Sequence, residues 1–390
     1  MVALAAGKEA FSDYSHVYSP KKFTQPQLFA CLVLREFEKK DYRGIRQLLI
    51  DCPELRHVIG LTSVPHYTTL QKASRRLLKQ DRVRILLNDT VRRIRRRRKR
   101  VKHAAVDSSG FDAHHASRYF IWRRDNRKER EKRPKKRVSY KRYGKLMLIV
   151  CCVTHAILAA VASAGPTPDI DQLDGVLDEL PASQTILHMV ADAGFDSAYN
   201  HRLLREEHGI RSTIPPEHGR HSKDPNALPP DKYRRLMKTR FNKPAYKKRS
   251  QIETVFSMLK RNFGSALRAR SHWGRNRDLY LRILTHNIAL ALLRVFYRAL
   301  LTLFPLDPFS PSLFSPPDLP FFLLRTGGWD VLYLGLDRPV VVVDPPIPHL
   351  QIQRAVFQGY EFAASADFEG IFVVDSAFQK PLPFQSCSAH

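Results

Sequence analysis

Apolar positions in the first hundred residues recur at helical spacing, and from about residue 103 the pattern changes to short apolar runs separated by polar turns. Residues 1–13 carry no readable pattern. Thr24 can cap a helix with Pro26 in its first turn, and Asp41 can cap a second one running towards Ile50. Turns at Cys52-Pro53 and Val64-Pro65 follow. After Pro65, the stretch YTTLQKASRRLLKQ places Leu70, Ala73 and Leu77 on an apolar side and Lys72, Arg75, Arg76 and Lys79 on a basic one. Another helix is expected from about Arg82.

The later pattern predicts strands near 103–111, 117–123, 145–153 and 156–164, a helix near 168–180, a strand at 185–192, a helix from Asp196 to His208, and a strand from Ile210 to Pro215. An amphipathic helix is expected at 279–300. Together these give an α/β chain, a mixed sheet flanked by helices at 101–300, preceded by a small all-α domain at 14–100. Basic insertions interrupt the sheet region at 123–145 and 216–244. Residues 146–164, LMLIVCCVTHAILAAVASA, are about long enough to span a membrane. Thr154 and His155 interrupt the run, however, and β-branched residues crowd its first half. Two buried strands joined by a tight turn are the expectation.

The stretch YKKRSQIETVFSMLK, from Tyr246 to Lys260, has a distinct pattern. Wound at about 100° per residue, it puts Tyr246, Arg249, Glu253 and Lys260 within roughly 60° of each other on one face. Ile252, Val255, Phe256, Leu259 and Phe263 form an apolar stripe beside them. The plain alternative is a solvated face on which Arg249 and Glu253 form an ordinary i,i+4 pair, worth roughly 0.2–0.5 kcal/mol.

Charge sharpens the picture. The 390 residues carry a net +28, with a pI near 10.2, and 43% of them are hydrophobic. That length can hold two or three domains and that apolar content can bury a real core, while the excess charge implies a polyanionic partner, most simply nucleic acid. The basic side of the Lys72–Lys79 helix suits a DNA groove, with a solvated face as the alternative. The run RRIRRRRKR at 92–100 and the block from Arg123 to Lys145 repel themselves unless phosphates neutralise them. Five cysteines, at 31, 52, 151, 152 and 387, contain no CxxC pair and read as buried thiols in a reducing compartment. The N-terminus lacks the basic region and long apolar run of a secretory signal, so the expected location is cytoplasmic, with the nucleoid, and no membrane.

Two carboxylates follow apolar runs: Asp107 in HAAVDSSGF and Asp192 in ILHMVADAGFDS. A lone Asp after a strand is usually a cap or turn residue. With Glu253 the pair becomes a constellation, and Tyr246, Arg249, Glu253 and Lys260 match the YREK pattern without a gap. Across residues 20–300 the chain resembles a DDE transposase of the insertion-sequence four/five group, carried by VDSSGF, VADAGFDS and YKKRSQIETVFSMLK in the family's order. The segment GPTPDIDQLDGVLDEL, residues 165–180, resembles the linker and helix before the second Asp. The resemblance implies a ribonuclease-H-like core in which Asp107, Asp192 and Glu253 bind two Mg²⁺ ions, replaceable by Mn²⁺. It also implies that Tyr246, Arg249 and Lys260 hold the DNA end. The partners it implies are double-stranded DNA, as terminal inverted repeats and target, and a second copy of the chain on paired ends.

Residues 301–390 stand apart. They carry four basic and nine acidic residues, a net of −5, and are rich in Pro and Phe. Two rival functions remain at this point: an inactive or domesticated transposase that only binds DNA, and a ribonuclease-H-like nuclease with no use for the Tyr246, Arg249 and Lys260 stripe.

Overall fold

The computed structural model describes residues 1–95, 100–113, 143–216 and 228–303, together with six strands between Phe321 and Asp375. Several expectations lie outside those residues: the strand at 117–123, the basic block up to residue 142, Arg96–Arg98 and Lys99 of the arginine run, residues 217–227 and Cys387.

Capping residues set where the first helices start. Before α2 (Gln25–Phe37), preceded by α1 (Val2–Ala10), the Thr24 hydroxyl accepts from the Gln27 N–H, and the Gln27 side chain accepts from the Thr24 N–H at 2.9 Å. This reciprocal pair satisfies donors that a helix start leaves open. Asp41 caps α3 (Tyr42–Asp51) through the Gly44 N–H at 2.6 Å. α4 (Pro53–Ile59) ends on Gly60, whose φ of 74° is the left-handed conformation that glycine adopts without strain. α5 (Tyr67–Leu77) and α6 (Gln80–Arg95) complete the region. α1 arises where the sequence pattern is silent, because small side chains let it pack closely: a Cβ on Gly7 would lie 3.0 Å from the Pro26 Cα.

The sheet is built from β2 (Ala104–Ala113), β3 (Tyr143–Cys151), β4 (Ile157–Gly165), β6 (His188–Ala191) and β7 (Arg211–Thr213), in the order β4-β3-β2-β6-β7. β4, β3 and β2 are antiparallel, whereas β6 and β7 continue the sheet in parallel. β8 (Ala266–Leu267) joins β2 in parallel at Asp112–Ala113. A separate parallel pair links β1 (Arg100–Val101) to β5 (Thr185–Ile186). This is the ribonuclease-H-like mixed sheet that was expected, flanked by helices. Residues 146–164 form the β3–β4 hairpin, with Lys145 opposite Ser163 and Ile149 opposite Ala159. At its rim the Tyr143 ring lies over Gly110 and Gly165, where a Cβ on Gly165 would collide with it.

α7 (Leu173–Leu177), α8 (Ala198–Arg202), α9 (Lys232–Thr239), α10 (Lys243–Tyr246), α11 (Ser250–Phe263) and α12 (His272–Leu303) supply the remaining helices. Several differ from the sequence pattern. The expected 185–192 strand is divided, since Ile186 pairs with β1 and Met189 with β2, leaving Leu187 between them partly exposed. The helix from Asp196 widens into a π turn at Leu203–Glu207. Part of the expected 216–244 insertion is α9, tied to the body by an ion pair described below.

One face of the sheet, with Ala105, Phe111, Leu146, Leu148 and Val150, packs in one core with residues of α1–α6, α11 and α12. The other face, with Ala104, Val106, Met147 and Ile149, packs on Leu173, Val176, Leu203 and Leu204. Fully burying each Leu, Ile or Val side chain contributes about 1.5–3 kcal/mol. The helical region and the sheet therefore share a core, within a unit spanning Met1–Leu306.

A second unit, Asp307–His390, contains two three-stranded antiparallel sheets. One holds β9 (Phe321–Thr326), β10 (Trp329–Leu334) and β11 (Pro339–Val341). The other holds β12 (Ile352–Phe357), β13 (Tyr360–Ser365) and β14 (Ile371–Asp375).

Among the described residues, Cys31, Cys52, Cys151 and Cys152 are free thiols. Burial pushes Cys31 and Cys152 up to about 12, so neither is a nucleophile near neutrality. No described helix is long and apolar enough to cross a membrane.

Candidate active site

The stretch from Tyr246 to Lys260 is not one uniform helix. α10 ends at Tyr246, a tight 3-10 turn takes Lys247–Arg249, and α11 begins at Ser250. A 3-10 turn advances the chain faster around the axis than an α turn. The side chains still follow one another, with the Arg249 guanidinium 6.0 Å from the Tyr246 ring and paired with Glu253, and with Glu253 and Lys260 lining one cleft. α11 is anchored by Ile252, Val255, Phe256 and Leu259 in the core, and it stops at Gly264, with φ of 93°.

Asp107 lies midway along β2, where its carboxylate accepts from the Ser108 N–H at 2.7 Å. Asp192 follows β6 directly and stands exposed at the start of a short 3-10 turn. Because β2 and β6 are parallel neighbours, with Val106 opposite Ala191, the two aspartates that follow stand side by side. The stretch containing α10 and α11 then reaches across both. Tyr246 donates its hydroxyl to Asp192 at 3.4 Å. Arg249 lies 3.5 Å from the Asp107 carboxylate and donates to Glu253 at 2.8 Å. Lys260 donates to the Ser109 hydroxyl at 2.7 Å, with its ammonium over the Phe111 ring at 5.3 Å.

Electrostatics follow that geometry. Burial pushes the Asp107 carboxyl upwards against the Ser108 N–H and Arg249, and the neighbouring Asp169 and Asp192 charges push it further. Burial weakens the Arg249 cation, but Asp192, Tyr246, Glu253 and Asp107 outweigh it and strengthen its hold on the proton. Arg249 is thus the counter-ion for all three acids. Among the described residues, no three His, Cys, Asp or Glu side chains are grouped closely enough to hold a metal. The three acids are joined through Arg249 and Tyr246.

A cleft of about 480 Å³ opens beside them, lined by Asp107, Ser109, Glu253, Phe256, Ser257, Lys260 and Arg261 among others. Lys72, Arg75 and Arg76 are not drawn into this cluster. They stand exposed on α5, which packs against α2 and α3.

Some contributors carry no local sequence signal. Asp196, the second acid of DAGFDS, is buried and takes a fork from Arg234 of α9 at 2.7–3.1 Å. His155, in the β3–β4 turn with φ of 55°, bonds Gln251 at 2.7 Å and so steadies the first turn of α11, two residues from Glu253. Ser109 was visible only as one of the small residues after Asp107.

Residues 98–288 match the family model described as the transposase DDE domain. A search of curated proteins found no match. The match supports a DDE transposase, a class that acts in DNA recombination and generally uses divalent metal ions.

Proposed function

From a transposase DDE domain as premise, we propose that the chain binds the ends of an insertion sequence, cleaves them and joins them to target DNA by phosphoryl transfer. The observation that carries this is the Tyr246–Lys260 stretch, which touches both aspartate-bearing strands through Tyr246 with Asp192 and Arg249 with Asp107. The carboxylate oxygens of Asp107, Asp192 and Glu253 are the donor type that a hard divalent cation takes, and Arg249, the cation among them here, would have to give way for the three to close on a metal. Two Mg²⁺ ions, for which Mn²⁺ substitutes, supply activation of a water or 3′-hydroxyl and stabilisation of the departing oxygen when bound there.

The chain's own residues do the rest. Tyr246, Arg249 and Lys260 meet the DNA end around Glu253, and Lys72, Arg75 and Arg76 contribute further phosphate contacts. Two copies act on paired ends, in the cytoplasm with the nucleoid. Affinity rests on many cations and turnover on three acids, so the two are separable.

The test measures end binding and Mg²⁺- or Mn²⁺-dependent nicking for Asp107→Asn, Asp192→Asn and Glu253→Gln. Nicking should disappear while binding persists. Nicking retained by a variant removes that residue from the triad. A parent chain that binds its terminal repeats yet stays inert with both metals would leave only DNA binding. For Arg249→Ala and Lys260→Ala, the salt dependence of binding should flatten by a slope of roughly 0.9 per lost phosphate contact.

A further inference from the structure

We propose that the Arg268–Trp273 segment is a second DNA-contacting surface, where the Trp273 indole stacks on an unpaired base of the strand leaving the cleft. This rests on the DNA-processing reading above. Trp273 is 72% exposed, the most exposed side chain among the large apolar residues of the described sheet-and-helix region after residue 100. An indole normally buries most of its large apolar area, so one held in solvent is a candidate for contact with a partner.

Its mount is firm. The Ser271 hydroxyl accepts from the Gly274 N–H at 3.1 Å, the Ser271 carbonyl from the Arg275 N–H at 2.9 Å, and Asp278 from the Ala269 N–H at 3.1 Å. Close packing at Gly274 leaves no room for a side chain, since a Cβ there would lie 2.8 Å from that of Ala269. The His272 ring meets the indole edge-on at 5.4 Å. An aromatic platform held this way loses little conformational freedom on binding.

A basic track joins the platform to the cleft. Arg261 lines the cleft beside Glu253 and Lys260, and its carbonyl accepts from Lys39 at 3.4 Å. The Lys39 carbonyl in turn accepts from Arg268 at 2.6 Å. Lys39, Arg261, Arg268 and Arg270 are all exposed. Asp278, five residues beyond Trp273, is directed inwards, towards the Ala269 N–H and Arg35. Cations that follow a backbone, ending at an exposed aromatic ring, suit a single strand whose bases stack on the ring. Charge complementarity thus selects DNA over a second copy of this equally basic chain.

Binding of the full chain to two labelled DNAs tests the proposal: a blunt duplex element end, and the same end with an unpaired extension. Trp273→Ala should weaken binding of the extended DNA roughly 10-fold, leave the blunt duplex unchanged, and recover most of the loss as Trp273→Tyr. In a Trp122→Phe, Trp329→Phe background, emission from Trp273 should be quenched by the extended DNA. Equal loss on both DNAs, no loss on either, or dissociation of a DNA-free dimer on Trp273→Ala overturns the proposal. A parent chain that binds neither DNA overturns it together with the DNA-processing reading. A parent that binds both, with an indifferent Trp273→Ala, removes this proposal alone.

Discussion

Replacing Arg282 by Ala should be among the most damaging single changes near the cleft, although Arg282 touches none of the acids. Its side chain is 4% exposed and donates to the Gly264 carbonyl at 2.8 Å, the Ala266 carbonyl at 2.7 Å and Glu36 at 3.2 Å. The guanidinium also lies over the Phe111 ring at 5.7 Å. Arg282 thereby joins α12 to α2, to the end of α11 and to β8. Around it, Glu36 pairs with Arg35 at 2.9 Å and Arg35 with Asp278 at 3.7 Å, so two cations balance two anions out of solvent. Removing one cation leaves a buried carboxylate under-neutralised and two carbonyls without donors. Breaking a buried pair in this way costs about 3–5 kcal/mol, a large part of the roughly 5–15 kcal/mol that holds a folded domain. Arg249→Ala is the control. Its side chain is 24% exposed and Glu253 57%, so solvent screening limits the loss to about 1 kcal/mol or less. Urea unfolding of the full chain, followed by circular dichroism at neutral pH, measures both. Equal losses, or a loss below about 1 kcal/mol for Arg282→Ala, would refute the reasoning.

Asp107→Asn should stabilise the DNA-free chain at pH 7. Burial raises the Asp107 carboxyl, so its contribution to stability is present below its ordinary range near 3.8 and is lost as pH rises through the raised value. The gain should shrink on acidification below 3.8, and a constant gain across pH contradicts the assignment. His286, buried and bonded to the His155 carbonyl, is pulled down to about 4 by burial. Its contribution is present above about 6.5 and is lost as pH falls through 4, a loss of about 3 kcal/mol. His286→Gln should flatten the stability profile in that window, and an unchanged slope excludes His286 as its source. Truncation near residue 305 should leave the thermal transition of the first unit intact, because the chain divides at Leu306. Loss of a cooperative transition would show that the second unit contributes to the first unit's fold.

Local signals carried much of the fold. Thr24 and Asp41 announced helix starts because a cap acts over three residues, and the β3–β4 hairpin was visible in a buried run broken by Thr154 and His155. The residues singled out around the acids also meet: Asp107 and Glu253 at Arg249, and Asp192 at Tyr246. Partners distant in the chain left no such trace. Arg234 finds Asp196 from 38 residues away, and Lys260 finds Ser109 from 151. Basic residues in a polar stretch look alike whether they meet solvent, phosphate or a buried acid. The 3-10 turn at Lys247–Arg249 was equally hidden, since its residues favour either helix and the approach to Asp107 and Asp192 decides between them.

The core shared by the N-terminal helices and the sheet makes the first unit non-modular. Leu28, Phe29 and Leu32 of α2 lie in the same apolar cluster as Ile252 and Leu259 of α11 and Leu279 and Ile283 of α12. Asn287 of α12, fully buried, bonds both Thr90 of α6 and the backbone of Ile157 in β4. The N-terminal helices therefore cannot be exchanged like a reading head on a linker. A graft from another chain would have to reproduce the apolar surface beneath α11. Substitutions that alter the basic face of α5 are then confined to its exposed side, leaving Leu70, Ala73 and Leu77 in place.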